Sequence, residues 1–217
     1  MRDLPEDSFS RLSQQAVFLP GPVGRLEALT TWPQQGSCHG VAIVCHPHPL
    51  YHGTMHNKVV TTLAKSFERL GFATLRFNYR GVGQSAGEYG HMTGEIADLM
   101  AVKAWVERVL PDMPIALAGF SFGSYIAANV ANQCPEVLEL VTVAPAVNHA
   151  DFSQLTAIRC PWRLIMGEAD EVVPYEEVRA FAENPPSPLE FISLPATSHF
   201  FHGRLVELQA AVMQGRN

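Results

Sequence analysis

The stretch "PIALAGFSFGSYIAANVANQ", residues 114–133, changes character at a single serine. Residues 114–120 are a short apolar run that reads as a strand buried on both faces. Residues 123–133 are mostly small and suit a helix. Between them stands Gly119-Phe120-Ser121-Phe122-Gly123, a G-x-S-x-G. Glycines two before and two after the serine let strand and helix come close. The turn this predicts is sharp and lifts the Ser121 hydroxyl clear of the sheet. The helix that starts here aims its N–H groups and positive dipole end at the same place. Ser121 is therefore a candidate nucleophile, and the Phe122 amide a candidate oxyanion donor. The plain alternative is a serine that only caps a helix.

Outward from this point, strand-like and helix-like segments alternate. Upstream lie β-like runs at 15–19 and 25–32, parted by Pro-Gly-Pro, then an apolar run at 40–47. A helix is predicted over about 57–70, where Val60, Leu63, Phe67 and Leu70 share a face and Gly71 ends it. A strand at 72–79 and a helix at about 93–110 complete the upstream part. Downstream come strands at 138–145 and 161–167, a helix near 174–183, a strand at 189–195, and a last helix from about Phe201. From the third strand onward this order predicts a mostly parallel sheet with helices on both faces. The first two strands could add an antiparallel edge. In such sheets the reactive groups gather at the carboxyl ends of the strands.

A serine nucleophile needs a base, and the base needs an orienting carboxylate. The loop after 161–167 offers Glu168, Asp170 and Glu171; the loop after 189–195 offers His199 and His202. Asp170 is preferred because it stands three residues past its strand, just before "EVVP". His199 is preferred because His202 falls about a turn into the expected last helix. The chain order Ser121…Asp170…His199 places each candidate after a separate strand.

Five stretches carry a resemblance: "VCHPHPLYHGTMHNKVV", "LRFNYRGVGQSAGEYG", "GFSFGSY", "GEADEVVP" and "SHFFHG". Along nearly its whole length the chain resembles the α/β-hydrolase superfamily, and most of all a group of small, lidless predicted serine hydrolases and esterases. The resemblance implies an α/β-hydrolase fold with an eight-stranded sheet and no or a minimal lid, and gives catalytic roles to Ser121, Asp170 and His199. The segment "NYRGVGQS" resembles that group's N-x-R-G-x-G-x-S. Where the group usually has Gly-Gly, this chain has His52-Gly53. A second oxyanion donor is expected from "HPHPLYHG". Pro47 and Pro49 lack an N–H, which leaves His48, Leu50 and Tyr51. The His48 amide is preferred because His46-Pro47 occupies the place of the usual His-Gly.

Other features point elsewhere and are weaker. His46, His48, His52 and His56 lie within eleven residues, but no Cys, Asp or Glu joins them, so no metal site is assigned. "RGVGQSAG", residues 80–87, matches part of a dinucleotide fingerprint. It is not in the first βαβ unit, and its helix starts too late, so it reads as a structural loop around Arg80 and no cofactor is expected. Phe120, Phe122, Tyr51, Phe200 and Phe201 fall near the serine and could form an acyl pocket.

Bulk properties bound these readings. The 217 residues suit one domain over 1–217; 47% are apolar and 17% charged, with a net charge of −6 and scattered cations. That composition is globular and offers no nucleic-acid surface. No apolar run approaches the ~20 residues of a membrane span. The polar, acidic opening "MRDLPEDSFSRL" lacks a signal-peptide core. Cys38, Cys45, Cys134 and Cys160 form no CxxC pair and read as thiols in a reducing, cytoplasmic setting. Residues 145–160 leave little room for a lid, which predicts an open, shallow site. The expected activity is that of a serine hydrolase acting on a small or extended ester or thioester. The alternatives are a non-catalytic scaffold of the same fold and, behind it, a His-rich metallohydrolase. Additional domains common among peptidases of this fold are not expected at this length.

Overall fold

Apolar runs without alternation become the central strands. In the computed structural model, which describes Phe9, Arg11, 13–34 and 36–216, eight strands form one sheet. They are β1 (Gln15–Gly21), β2 (Gly24–Thr31), β3 (Val41–Cys45), β4 (Ala73–Phe77), β5 (Ile115–Phe120), β6 (Glu139–Val143), β7 (Trp162–Gly167) and β8 (Glu190–Leu194). Their spatial order is β1-β2-β4-β3-β5-β6-β7-β8. β2 runs antiparallel to both β1 and β4, and every other pairing is parallel. The opening stretch 1–12 lies outside the described residues apart from Phe9 and Arg11.

Five helices cover the sheet: α1 (Lys58–Arg69), α2 (Thr93–Val109), α3 (Phe122–Gln133), α4 (Tyr175–Glu183) and α5 (Leu205–Met213). Alternate residues of one strand serve two separate cores. Val41, Ile43 and Cys45 of β3 pack on the side of α2 and α3, while Ala42 and Val44 pack on the side of α1 and α5. β5 divides the same way, with Ile115 and Leu117 on one side and Ala116, Ala118 and Phe120 on the other. Burial on both faces is why these strands read as unbroken apolar runs. The predicted mostly parallel sheet with helices on both faces is thus the observed one. The segment between β6 and β7 carries only a 3₁₀ turn, Phe152–Gln154.

The strands predicted at 72–79 and 138–145 end at Phe77 and Val143, and two further boundary shifts bear on the site. The predicted third strand 40–47 stops at Cys45, because His46 and Pro47 turn away into the loop that follows. The predicted last helix from about Phe201 starts only at Leu205. Phe201 has φ 53° and Gly203 φ 70°, backbone angles a right-handed helix cannot hold. His202 is therefore an exposed loop residue rather than a helical one, so helix position does not separate it from His199.

Candidate active site

The turn between β5 and α3 is held from several directions. Ser121 has φ 54° and ψ −118°, an arrangement that costs a non-glycine residue about 1–3 kcal/mol. Its N–H donates to Val143 O at 2.8 Å, and Ser124 N–H donates to Ser121 O at 2.9 Å. A Cβ on Gly119 would stand 2.1 Å from Gly123 O, and one on Gly123 would stand 2.5 Å from Cys45 O. Both positions therefore exclude any side chain, as the G-x-S-x-G reading requires. Ser124, which the sequence analysis did not single out, is fully buried. Its Oγ lies 2.9 Å from both Gly119 O and Val143 O and accepts from Val143 N–H at 3.1 Å. It joins the entry strand, the turn and β6 through one hydroxyl.

Asp170 and His199 meet across two neighbouring loops. His199 Nδ1 lies 2.7 Å from Asp170 Oδ2, with side-chain exposures of 3% and 0%. Asp170 Oδ1 accepts from the Val172 and Val173 amides at 2.8 and 2.7 Å, which fixes the carboxylate plane. The loops themselves are tied by Ala169 N–H to Thr197 O at 3.0 Å. Glu171 instead accepts from the His199 backbone N–H at 3.0 Å, and Glu168 from the Ser193 hydroxyl at 3.0 Å. Among the three acidic candidates, Asp170 is the imidazole's partner. The His199 ring packs on Phe120 with centroids 4.9 Å apart, which brings it beside the residue that precedes Ser121. The Ser121 hydroxyl itself forms no hydrogen bond among the described residues.

On the other side of Ser121 lies the loop after β3. His46 is fully buried. Its Nε2 accepts from Tyr79 N–H at 3.2 Å, so its proton sits on Nδ1, which donates to Pro47 O at 2.6 Å. Burial pushes its pKa down to about 3, and the ring stays neutral. His48 Nδ1 accepts from Leu50 N–H at 3.2 Å, which leaves the Nε2 proton facing the Tyr89 hydroxyl, also at 3.2 Å. Desolvation lowers the His48 pKa, opposed by the charge of Glu95. His48 O accepts from the Tyr51 and Gly53 amides, both at 3.1 Å. A Cβ on Gly53 would sit 2.0 Å from Pro47 O. His52, in the place of the usual glycine, takes φ 60° and ψ 23°, the left-handed region glycine enters more cheaply. The ring nitrogens of His46 and both of His48 already have partners within the fold. Among the described residues no group of three or more His, Cys, Asp or Glu could hold a metal ion.

The "NYRGVGQS" loop stabilises this end of the sheet. Asn78 accepts from Met55 N–H at 2.9 Å and donates to Glu27 at 2.8 Å. Arg80 forms a buried ion pair with Asp98 at 2.7 Å, and Ser85 Oγ donates to Asn78 O at 2.7 Å. These side chains tie the loop to β2 and α2, in keeping with its reading as a structural element. Of the aromatic candidates, Phe120 and Phe201 are fully buried core residues and Phe122 is nearly so. Tyr51 and Phe200 are exposed.

A serine on a sharp strand-to-helix turn, followed in the chain by a bonded Asp-His pair at two later strand ends, can be compared with known proteins. A solved α/β serine hydrolase homologue from Coxiella burnetii is 48% identical, with a TM-score of 0.90 over 94% of this chain and 97% of the other. The chain belongs to the α/β-hydrolase superfamily. A solved lidless member, XC6422 of Xanthomonas campestris, is 39% identical, with a TM-score of 0.88 over 94% of this chain and 93% of the other. The uncharacterized protein RP471 of Rickettsia prowazekii (strain Madrid E) is 32% identical over 208 residues, 90% of this chain and 86% of the relative. The family model described as serine aminopeptidase S33 matches residues 49–156 of this α/β-hydrolase. That span takes in Ser121 and ends before Asp170 and His199. No helix among the described residues is long and apolar enough to cross a membrane.

Proposed function

We propose that this α/β-hydrolase is a serine esterase or thioesterase that works through an acyl-enzyme. The observation that carries the reading is the 2.7 Å bond between His199 Nδ1 and a fully buried Asp170 carboxylate whose other oxygen is held by two amides. With its Nδ1–H donating to the Asp170 carboxylate, the imidazole keeps Nε2 free to act as a base.

In the first step Nε2 takes the Ser121 hydroxyl proton while Oγ bonds to the carbonyl carbon. The carbonyl oxygen becomes an anion that accepts from the amides of Phe122 and His48. Phe122 is the first residue of its helix, so its N–H has no partner within that helix. For the second donor, the Leu50 and Tyr51 amides are already used inside their own loop, which favours His48. The C–O or C–S bond then breaks, and the proton on Nε2 goes to the departing atom. Water repeats the sequence against the acyl-enzyme, freeing the acid and restoring Ser121. Asp170 holds the imidazole in the productive tautomer and stabilises its charged form.

The shortness of 145–160, which carries only the 3₁₀ turn Phe152–Gln154, supports small or extended substrates. The four free cysteines support a reducing, cytoplasmic setting. A fluorophosphonate probe tests the reading. Labelling of the wild type that disappears in Ser121→Ala supports it. Wild-type protein that stays unlabelled across the pH range favours a non-catalytic scaffold. Activity abolished by EDTA and restored by zinc would point to a metallohydrolase.

A further inference from the structure

The two phenylalanines flanking Ser121 face different neighbours. Phe120 meets the His199 ring at 4.9 Å, and Phe122 meets the His48 ring at 4.7 Å. In turnover the imidazole must hand its proton to the leaving atom, so the leaving group lies against His199. With the oxyanion on the Phe122 and His48 amides, the acyl substituent is the group left to run along the His48 side. That side is aromatic. The Tyr51 ring lies 5.0 Å and the Tyr89 ring 5.1 Å from the His48 ring. Tyr51 is 80% exposed, yet it sits on a turn held by the Leu50 N–H to His48 Nδ1 bond, the Gly53 N–H to His48 O bond and two prolines. A large ring left open on a stiffened turn, joined through the His48 ring to the residue that follows Ser121, is a ready stacking surface.

We propose that the wall formed by His48, Tyr51 and Tyr89, backed by the buried Phe122 ring, is the acyl subsite, and that it selects flat aromatic acyl groups over straight alkyl groups of equal carbon number. The inference rests on the serine-hydrolase reading above. Both kinds of substituent gain from leaving water. Only the flat one can also stack offset or edge-on against the wall, and it loses fewer rotors when it binds. The expected preference is about tenfold, which corresponds to ~1.4 kcal/mol.

Boronic acids test this without turnover. The Ser121 oxygen adds to trigonal boron, its proton passes to His199, and the carbon substituent of the tetrahedral adduct takes the place of the acyl group. Phenylboronic and n-hexylboronic acid are each titrated as protectants against fluorophosphonate labelling of the full chain. Wild type is expected to bind the phenyl compound about tenfold more tightly. Tyr51→Ala should bring the ratio close to one, Tyr51→Phe should retain it, and Val206→Ala, on the exposed face of α5, should leave it alone. Equal or tighter binding of the hexyl compound by wild type, or an unchanged ratio in Tyr51→Ala, overturns the inference while the hydrolase reading stands. If wild type takes no label at Ser121, the hydrolase reading falls and this inference falls with it.

Discussion

Removing one hydroxyl, in Ser124→Ala, should damage both stability and turnover although the residue touches no substrate. The Ser124 oxygen serves three backbone atoms: Gly119 O and Val143 O at 2.9 Å and Val143 N at 3.1 Å. A net hydrogen bond contributes about 1 kcal/mol, and a buried N–H left unpaired costs about 1–3 kcal/mol. The site is fully buried and crossed by close backbone approaches, so no solvent replaces the hydroxyl. The sum is a loss of about 2–4 kcal/mol, or about 4–16 °C in Tm for a domain of this size. Val143 O also accepts from Ser121 N–H, so the loosened strand end releases the strained nucleophile turn. A misplacement there lowers kcat by about tenfold or more and leaves KM nearly unchanged. Urea unfolding and steady-state kinetics on a p-nitrophenyl ester measure both effects. A Tm within about 1 °C of wild type together with an unchanged kcat would refute the reasoning.

Asp170→Asn leaves a folded protein whose kcat falls on the order of 10³–10⁴-fold, because the amide no longer holds the productive imidazole tautomer; kinetics beside far-UV circular dichroism checks it, and a loss under tenfold contradicts it. His52→Gly relieves a left-handed histidine and raises stability by up to about 1 kcal/mol in urea unfolding; a clear destabilisation would show that the imidazole has a role of its own. His46 sets an acid limit. Its folded pKa of about 3 lies below the unfolded value near 6.5, so the unfolded chain takes up a proton that the folded one refuses across that window. Stability therefore falls as pH drops from about 6.5 to about 3, by on the order of 4–5 kcal/mol from this group alone. Urea unfolding of wild type and His46→Gln at pH 7, 5 and 4 should show a flatter pH dependence in the variant, and parallel curves would contradict the assignment.

The residues that were legible in the sequence share one property: each stands where an apolar strand ends. Ser121, Asp170 and His199 could be picked out because a parallel sheet brings the carboxyl ends of its strands to one rim. Ser124 carried no such sign, since a serine inside a run of small helical residues looks like any other. Only pairing of β5 with β6 brings Val143 alongside it. The start of α5 was misplaced because apolar periodicity does not register the positive φ of Phe201. The sequence points to the His48 amide; its ring is held locally by the Leu50 N–H and, 41 positions away, by Tyr89, a pairing that only the folded chain creates.

Acid-quenched mass spectrometry during turnover of a slow ester bears most directly on the acyl-enzyme. The account predicts protein heavier by one acyl group, with the added mass mapped to the peptide carrying Ser121 and absent from Ser121→Ala. Steady hydrolysis by wild type with the acyl group on another residue would contradict it.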